Sequence, residues 1–469
     1  MQKNTLRLAL PLVGLATLSL TASAQLGSSG YDFQPRSGEP VKGLDAAQLQ
    51  RFADGLVEFD FVLGVADGLG PVFNDNSCGT CHAFPLSGGS GTKLVTRFGK
   101  AASGGNPFDP LANKGGTLKQ EQFIDPACQE FVPAEADVVI NRVTPQTFGV
   151  GLLEAIDDAD IQAYATTPPD PNVSGVVRMV QPLEGGPMRA SKMGWKGGVA
   201  TVLTFSGDAS MNEMGLTNRL VQHENEPNGD PALLAAWDSV PDPEDFADPI
   251  TGLERIDRQT DFQQFLAPPP QTPQTGMTGE TVFETIGCAA CHVSDAYVTT
   301  GHSEAILNGV SIKPYSDFLL HDMGTLGDGI VDGICSETEM MTRTLWGIGQ
   351  RQTMLHDGRV TGVPFPDMVD WAIQDHDGEA AFSRTNYNNL VQADKDALVD
   401  FLLSLGRAEG DWDHNNKIDE FDWFFLEPLM TGPDAGTVTP DDGAAIIDVD
   451  MDGDFDMADM AVYQRATTF

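Results

Sequence analysis

Two five-residue stretches, Cys78-Gly-Thr-Cys-His82 and Cys288-Ala-Ala-Cys-His292, decide the fold and the chemistry of this chain. C-x-x-C-H is the pattern that attaches c-type haem, because its two thiols bond to the haem vinyl groups and the adjacent histidine binds the iron. A thioredoxin-like thiol pair and half of a zinc site are the alternatives, but neither accounts for two copies that both end in histidine. The sequence therefore predicts two covalent haems, attached through Cys78, Cys81 and His82 and through Cys288, Cys291 and His292.

The first 24 residues have the three-part pattern of a secretory signal peptide. Lys3 and Arg7 give a basic start, an apolar run follows from Leu8 to Leu20, and Ala22-Ser-Ala24 is a small-residue cleavage site. The apolar run is too short to span a bilayer comfortably, and no later stretch is long enough. We therefore expect an exported protein, periplasmic or secreted, with a signal peptide over residues 1–24 and no integral membrane segment.

Composition narrows the choice of partners. The chain has 469 residues, a net charge of −41 and a hydrophobic content of 41%, which is sufficient for buried cores and excludes a disordered chain. Nucleic acids and anionic membranes repel a surface this acidic, so neither is expected as a partner. The same charge favours cations and basic redox proteins.

The two cysteines outside the haem motifs are Cys128 and Cys335. In an oxidising compartment an even pair of this kind can form a disulfide that links the two halves of the molecule. Two free, buried thiols are the alternative, because free cysteine is among the most buried residue types. The sequence leaves both open, since it does not show whether the Cα atoms approach closely enough.

A proline-rich stretch at residues 267–274 divides the haem-bearing part of the chain. Proline removes backbone donors and fixes φ, so this stretch is expected to be neither helix nor central strand. It separates a first c-type haem domain, residues 25–266, from a second, residues 275–407. Both are punctuated by Gly, Pro and Asp between short helical patterns. The predicted fold class is mainly α, with two cytochrome c-like haem domains that have long loops.

The composition changes after Arg407, because residues 408–469 hold 16 acidic and 2 basic residues. Two loops in this segment place oxygen ligands at alternate positions, as EF-hand calcium loops do. Their predicted ligands are Asp411, Asp413, Asn415, Lys417 (through its carbonyl), Asp419 and Asp422, then Asp448, Asp450, Asp452, Asp454 (through its carbonyl), Asp456 and Asp459.

An acidic, solvated tail is the alternative interpretation of residues 408–469. Two loops in phase, each followed by apolar residues, favour calcium instead. Aspartate stands where EF-hand sensors have glutamate at position 12, so the segment resembles a dockerin-like helical module. Such modules hold a protein partner or stabilise a terminus, so we expect attachment or stability from it, not catalysis.

Over most of residues 55–407 the sequence resembles the di-haem oxidoreductases, a group related to the bacterial di-haem cytochrome c peroxidases and the MauG enzymes. The matching motifs begin at Gly70, Arg142, Gly194, Glu213, Tyr315, Arg343, Leu355 and His376 and read GPVFNDNSC, RVTPQTFGVGLLE, GWK, EMGLT, YSDFLLHDMG, RTLWG, LHDGR and HDGEA. They follow the order of the family. The C-terminal module lies outside this resemblance.

The resemblance implies a division of labour between the two haems. In related enzymes one iron has two protein ligands and transfers electrons, the other is the peroxide site, and a tryptophan, here Trp195, lies between them. The segment 372–380 matches the one that carries the distal ligand of the second haem, which implies His376 for that position. Rival ligands are Met368, His321 and Met323.

The first haem differs because none of the eight histidines lies between His82 and His223. We therefore expect the iron of the first haem to be five-coordinate or bound by water, which leaves it open to peroxide. Methionine is the alternative ligand that would close it, although methionine at such spacings usually fills a core. The candidates are Met188, Met193, Met211 and Met214.

Glu213 matches the acid/base glutamate of the related peroxidases. A carboxylate in a low-dielectric pocket can transfer a proton between the two oxygens of peroxide. Relatives also have a glutamine upstream of it, which residues 202–206 lack. Arg142 and Arg359 are candidates to pair with haem propionates or, alternatively, with the abundant carboxylates.

Together these features predict an oxidoreductase that reduces hydrogen peroxide with electrons from a small donor protein of the cytochrome or cupredoxin type. Electrons would enter at the second haem and pass Trp195 to the first. One alternative is a pure electron carrier in which both irons are six-coordinate. Another is MauG-like or dioxygenase chemistry on a protein or organic substrate. A last one gives the C-terminal module the main role, as an anchor to a partner protein.

Overall fold

A computed structural model describes residues 33–270, 276–434, 436, 438–449 and 452–466. The predicted signal peptide at residues 1–24, the end of the proline-rich stretch at residues 271–274 and the predicted calcium ligand Asp450 lie outside the described residues.

Helices account for 36% of the structure and strands for 12%, which confirms the mainly α class. This fraction includes short 3-10 turns of three or four residues. The α-helices of the described residues are α1 (Ala46–Phe59), α2 (Cys78–Cys81), α3 (Val150–Glu154), α4 (Asp158–Thr166), α5 (Val202–Met214), α6 (Pro231–Trp237), α7 (Arg255–Phe265), α8 (Thr278–Thr285), α9 (Phe365–Asp375), α10 (Ala381–Asn388), α11 (Gln392–Ser404), α12 (Glu420–Leu426) and α13 (Met457–Ala466).

The strands are short, and most of them pair as antiparallel two-residue ribbons in long loops. Their bounds are β1 (Val72–Phe73), β2 (Leu94–Gly99), β3 (Leu118–Lys119), β4 (Gln122–Phe123), β5 (Val138–Val143), β6 (Met179–Val180), β7 (Arg189–Ala190), β8 (Tyr297–Val298), β9 (Ser311–Ile312), β10 (Leu320–Asp322), β11 (Glu339–Met341), β12 (Thr353–Met354) and β13 (Val360–Thr361). The largest sheet has the order β3-β2-β5 and lies in the first half of the chain.

Helices α1 and α7 cross closely beside the first haem motif. A Cβ at Gly55 would collide with the backbone of α7, so glycine permits the approach. The rings of Phe52 and Phe59 lie 5.3 and 4.9 Å from the ring of Phe262, and all three side chains are buried. Phe59 also lies 5.9 Å from the imidazole of His82. The helix pair therefore forms an apolar wall behind that histidine.

Helices α8 and α11 form a similar crossing beside the second haem motif. A Cβ at Gly279 would collide with the carbonyl of Ala397, so glycine is again the residue at the closest approach. The rings of Phe283 and Phe401 lie 5.4 Å apart in a buried cluster that includes residues of α9. Each haem motif thus has its own crossed helix pair and its own apolar core.

The described part of the proline-rich stretch, residues 267–270, is neither helix nor strand, as its prolines predict. It is nevertheless packed against both halves of the chain. Ala267 is buried and its N–H donates to the carbonyl of Glu39, while Pro269 contacts Gly347 and Gly406. These residues therefore form part of the contact between the two halves.

The C-terminal segment has a hydrophobic cluster of its own, built around Ile418, Leu426, Phe455 and Val462, with Phe33 from the start of the described chain.

Cys128 and Cys335 are both free and buried, so the structure shows the alternative of two thiols. No described helix is long and apolar enough to cross a membrane.

Candidate functional site

At the second haem motif, residues 288–292, the imidazole of the histidine is oriented and neutral, as a metal ligand must be. The Nδ1–H of His292 donates to the carbonyl of Tyr315 at 3.0 Å, because a carbonyl oxygen can only accept. Burial lowers the pKa of His292 to about 4. The imidazole is therefore neutral, and its Nε2 keeps the lone pair that an iron ligand needs.

His376 faces the same space from the end of α9. Its Nδ1–H donates to the carbonyl of Ala372 at 2.7 Å, and burial lowers its pKa. His292 and His376 line one cavity together with Cys288 and Cys291. Two thiols that can bond to the porphyrin and two neutral imidazoles that can bind the iron through Nε2 are the groups that a six-coordinate c-type haem needs.

The second-haem cavity also contains two buried cationic side chains. It has a volume of about 210 Å³ and is mostly apolar, and it is lined by Arg343 and Arg351. Burial lowers the pKa of both guanidinium groups to about 10. Within the described residues the Nε of Arg351 has no hydrogen-bond partner. Buried guanidinium groups with a free donor fit haem propionates, so the cavity suits the cofactor.

The rival ligands of the second haem are placed differently from His376. His321 is held at both ring nitrogens, by Asp317 at 2.9 Å and by Glu379 at 3.0 Å. Burial alone would lower its pKa, but hydrogen bonds with Asp317, the thiol of Cys291 and Glu379 raise it to about 12, so the ring is a cation with no free lone pair. Met368 is packed in the apolar core, and Met323 lines the cavity with His376.

At the first haem motif the cysteines lie on the single turn α2, and His82 follows it. The Nδ1–H of His82 donates to the carbonyl of Gly89 at 3.1 Å, and burial lowers the pKa of His82 to about 4. His82 is therefore neutral and oriented through Nδ1, as His292 is. His223, the next histidine along the chain, is exposed.

Glu213 is the last but one residue of α5 and approaches the first haem motif. Its Oε2 accepts a hydrogen bond of 2.6 Å from Nδ2 of Asn74, four residues before Cys78. Burial raises the pKa of Glu213, while the buried guanidinium of Arg97 and the Asn74 hydrogen bond lower it. The site thus holds one carboxyl group with a constrained orientation and a perturbed affinity for protons.

The methionines near the first haem motif are not equivalent. Met193 and Met214 fill apolar clusters, and the cluster of Met214 adjoins Cys78. Met188 is half-exposed at 49%, and Met211 is partly buried on α5.

Trp195 lies between the two haem motifs. It lines the second-haem cavity, and its Nε1–H donates to the carbonyl of Val143 at 2.9 Å. Two residues further along the chain, the backbone of Pro145 interacts with His82. The guanidinium of Arg343 lies 5.6 Å from the centre of the indole ring. The tryptophan therefore connects one cavity to the backbone beside the other motif.

The sequence analysis did not identify four residues of the site. Asn74 and Arg343 lie inside quoted motifs, whereas Arg97 in β2 and Arg351 have no quoted motif around them. The two arginines for which the sequence left propionates and carboxylates open both pair with carboxylates in the structure. Arg142 binds Asp328 at 2.6 Å and Arg359 binds Asp357 at 2.6 Å.

The two C-terminal loops each gather three carboxylates. Their side-chain oxygens lie within 4.8 Å of one another, and the groups are Asp411, Asp413 and Asp422, then Asp454, Asp456 and Asp459. Burial and the other two carboxylates raise the pKa of Asp411 to about 7. Buried carboxylates that crowd without a cation are costly, so each group fits a divalent cation.

The remaining predicted calcium ligands shape the loops. Asn415 donates its N–H to Asp411 and Asp413, and its side-chain oxygen accepts from the N–H of Lys417. Asn416 adopts φ 64° where an EF-hand loop has glycine, and Gly453 adopts φ 89°. Asp419, Asp448 and Asp452 lie outside the two described carboxylate groups, and Asp419 caps α12 through the N–H of Phe421.

The model of a family described as "Di-haem oxidoreductase, putative peroxidase" matches residues 132–405. This range includes Trp195, Glu213, the second haem motif and His376. No curated protein matches the sequence.

Among solved structures, the chain is similar to a MauG-like protein associated with microbial copper homeostasis, at 14% identity and a TM-score of 0.34, over 79% of this chain and 93% of that one. It is also similar to the diheme peroxidase BthA from Burkholderia thailandensis E264, at 15% identity and a TM-score of 0.23, over 62% of this chain and 91% of that one.

Proposed function

Because this chain belongs to the family of di-haem oxidoreductases, which are peroxidase-like enzymes with two haems, we propose that it reduces hydrogen peroxide with electrons from a small redox protein. When bound, one haem supplies electron transfer and the other supplies cleavage of the peroxide O–O bond. The observation that supports this proposal is the difference between the two sites. Two neutral imidazoles, of His292 and His376, face one cavity, whereas His82 is accompanied by the carboxyl group of Glu213.

Glu213 is the acid/base residue of the proposed reaction. Asn74 occupies Oε2, so Oε1 is left to exchange a proton with peroxide. Its buried position raises its pKa and favours a carboxyl group that can both give and take a proton. The protein contributes this proton transfer, the orientation of the carboxyl group and the exclusion of water around it.

Trp195 is the relay between the two sites. Its ring borders the cavity of the second haem, and its Nε1–H···O=C bond to Val143 leads by two residues of backbone to Pro145 beside His82. With both haems bound, residues 288–292 would hold the haem that takes up electrons from the donor, and residues 78–82 would hold the haem that passes them to peroxide. The net charge of −41 favours a donor with a basic face, of the cytochrome or cupredoxin type.

The domain arrangement in this proposal has two cytochrome c-like haem domains, residues 25–266 and 275–407, each with one crossed helix pair. Residues 408–469 form a calcium-binding, dockerin-like module. The exposed aromatic rings of Phe421 and Phe424 on α12, 53% and 71% exposed, offer it a surface for a protein partner. Export directed by residues 1–24 places the enzyme in the periplasm or outside the cell.

Steady-state turnover tests the proposal. The holoprotein is supplied with hydrogen peroxide and a reduced small c-type cytochrome, and oxidation of the cytochrome is followed by its absorbance. Glu213→Gln should lower kcat/KM by about 10²–10⁴, the usual contribution of a general acid/base group. The control is Glu226→Gln, which makes the same substitution at an exposed glutamate and should leave the rate unchanged. Wild-type protein that consumes no peroxide, or a rate that Glu213→Gln does not alter, contradicts the proposal.

A further inference from the structure

The first residues of the described chain connect the C-terminal module to the part of the molecule that holds the first haem motif. Phe33 is buried in the hydrophobic cluster of the module. Eight residues further on, the N–H of Val41 donates to the carbonyl of Phe265, at the end of α7, at 2.8 Å. Residues 33–42, which we call the linking segment, therefore run from the module to the crossed helix pair beside the first haem motif.

The first C-terminal loop holds the middle of the linking segment. The side-chain amide of Asn416 donates to the carbonyl of Ser37 at 2.8 Å, and Ser37 is buried. Asn416 stands at the turn of that loop, where its φ is 64° and its own N–H donates to Oδ2 of Asp411 at 2.9 Å. The hydroxyl of Ser37 donates in turn to Oε1 of Gln350 at 2.7 Å. A glycine at this turn would adopt the same φ but would lack the amide that binds the linking segment.

The next residue of the linking segment touches the loop that orients His82. A Cβ at Gly38 would lie 2.7 Å from Cδ1 of Leu86, so the leucine side chain packs directly on the backbone of the segment. Leu86 and Asn416 also line one cavity beside it. The carbonyl of Leu86 accepts the N–H of Gly89 at 2.8 Å, and the carbonyl of Gly89 accepts the Nδ1–H of His82 at 3.1 Å. A continuous series of contacts therefore leads from Asn416 to His82.

We propose that Asn416 is a positioning residue for His82, through which the C-terminal module acts on the first haem site. The proposal rests on the assignment of His82 as an axial ligand of that haem. A hydrogen bond from Nδ1–H to a carbonyl makes an imidazole a stronger ligand and stabilises ferric iron, which lowers the reduction potential. The carbonyl of Gly89 must keep its place for this effect. The contacts of Leu86 with Gly38, and of the linking segment with Asn416, hold it there.

Asn416→Gly tests the proposal on the holoprotein, because glycine keeps the positive φ of the turn and removes the bond to Ser37. Hydrogen exchange at the amide of Gly89 should become about two- to tenfold faster, the range that corresponds to the loss of one hydrogen bond. The reduction potential of the first haem should rise, whereas that of the second should stay unchanged. A titration followed by EPR separates the two haems. Asn106→Gly, the same substitution in an exposed turn, is the control and should change neither quantity.

Leu86→Ala breaks the series of contacts at its next step and completes a double-mutant cycle. Because the two residues act in one series, the potential of the double variant should differ from wild type by no more than the larger of the two single shifts. Shifts that add, or a first-haem potential that Asn416→Gly leaves unchanged, would overturn the proposal. Neither measurement uses peroxide, so a failure of the proposed peroxidase activity would leave both results intact and can be told apart from a failure of this proposal.

Discussion

The side-chain amide of Asn74 holds the carboxylate of Glu213 through a 2.6 Å hydrogen bond, across 139 residues of sequence. The backbone N–H of Asn74 also donates to the carbonyl of Glu213 at 2.7 Å. These two contacts join the segment that leads into the first haem motif to the end of α5. The orientation of the acid/base group is therefore set by the same segment that positions the haem-binding cysteines.

Asn74→Ala should lower kcat/KM for peroxide about tenfold, because a hydrogen bond to a charged group contributes about 1.5 kcal/mol. Asn74 lowers the pKa of Glu213, so its removal should raise that pKa and move the corresponding limb of the pH–rate profile to higher pH. The profile is measured from pH 4 to 9 with the neighbouring Asn76→Ala as control. A lower rate with an unmoved profile would show that Asn74 acts only through folding.

His376→Ala should remove one axial ligand from the second haem and convert its low-spin ferric signal into a high-spin one. His376→Met should instead keep a six-coordinate iron with a higher reduction potential, because methionine ligation raises the potential. Potentiometric titration and EPR measure the two effects. Met323→Leu is the matched control in the same cavity, and a low-spin signal lost in Met323→Leu but kept in His376→Ala would reverse the assignment.

Asp328 is the anion of a buried ion pair network that holds the relay in place. It binds Arg142 at 2.6 Å and Lys196 at 2.9 Å, and these are the chain neighbours of Val143 and Trp195. Asp328→Asn should lower the free energy of unfolding by about 3–5 kcal/mol, because it leaves buried cations unpaired. Asp332→Asn, whose partly exposed side chain pairs with Arg178, should cost less than about 1 kcal/mol. Denaturant titrations at pH 7 compare the two variants.

The Asp328 network also gives a pH dependence. Burial alone would raise the pKa of Asp328, but Arg142 and Lys196 lower it below its usual 3.8. A depressed carboxyl pKa contributes stability above the unfolded value and loses it as the pH falls through the folded value. The stability difference between wild type and Asp328→Asn should therefore be constant from pH 5 to 7 and shrink below about pH 3.8. A difference that grows on acidification would contradict the assignment.

Trp195→Phe should slow electron transfer between the two haems without changing either ferric spectrum, because it removes the Nε1–H bond to Val143 and the indole ring. Stopped-flow mixing of the half-reduced protein with peroxide follows the transfer. Trp371→Phe, a half-exposed tryptophan on α9, is the control. Equal rates in wild type and Trp195→Phe would remove Trp195 from the path.

Removal of calcium should loosen the C-terminal module first. Asp411 and Asp422 are fully buried, and chelation leaves their carboxylates crowded without a cation. Thermal unfolding followed by tryptophan fluorescence should show a lower transition for the module in EDTA. Asp413→Asn should reproduce part of that shift in calcium, whereas Asp434→Asn, outside both loops, should not. A transition that is identical with and without EDTA would contradict calcium binding there.

Sequence patterns predict the local parts of this molecule well. The haem motifs, the mainly α class and the irregular backbone of residues 267–270 each depend on chemistry carried by a few adjacent residues, such as the thiols and histidine of residues 78–82 or the ring of proline. The left-handed conformation of Asn416 follows in the same way from its place in a loop pattern.

Contacts between distant residues could not be predicted in this way. The bond from Asn74 to Glu213 and the buried guanidinium of Arg351 each depend on how loops fold back, which the periodicity of the sequence does not show. Arg142 illustrates the difficulty, because an arginine in a family motif suits a propionate and a carboxylate equally well. Only the position of Asp328 decides between them.

The most direct test of the account is low-temperature EPR, with visible spectra, of the ferric holoprotein before and after one equivalent of hydrogen peroxide. An open first haem and a bis-histidine second haem predict one high-spin and one low-spin signal, with the high-spin signal lost on peroxide addition and lost more slowly in Glu213→Gln. Two low-spin signals that peroxide leaves unchanged, even after half-reduction, would contradict the peroxidase account and identify an electron carrier.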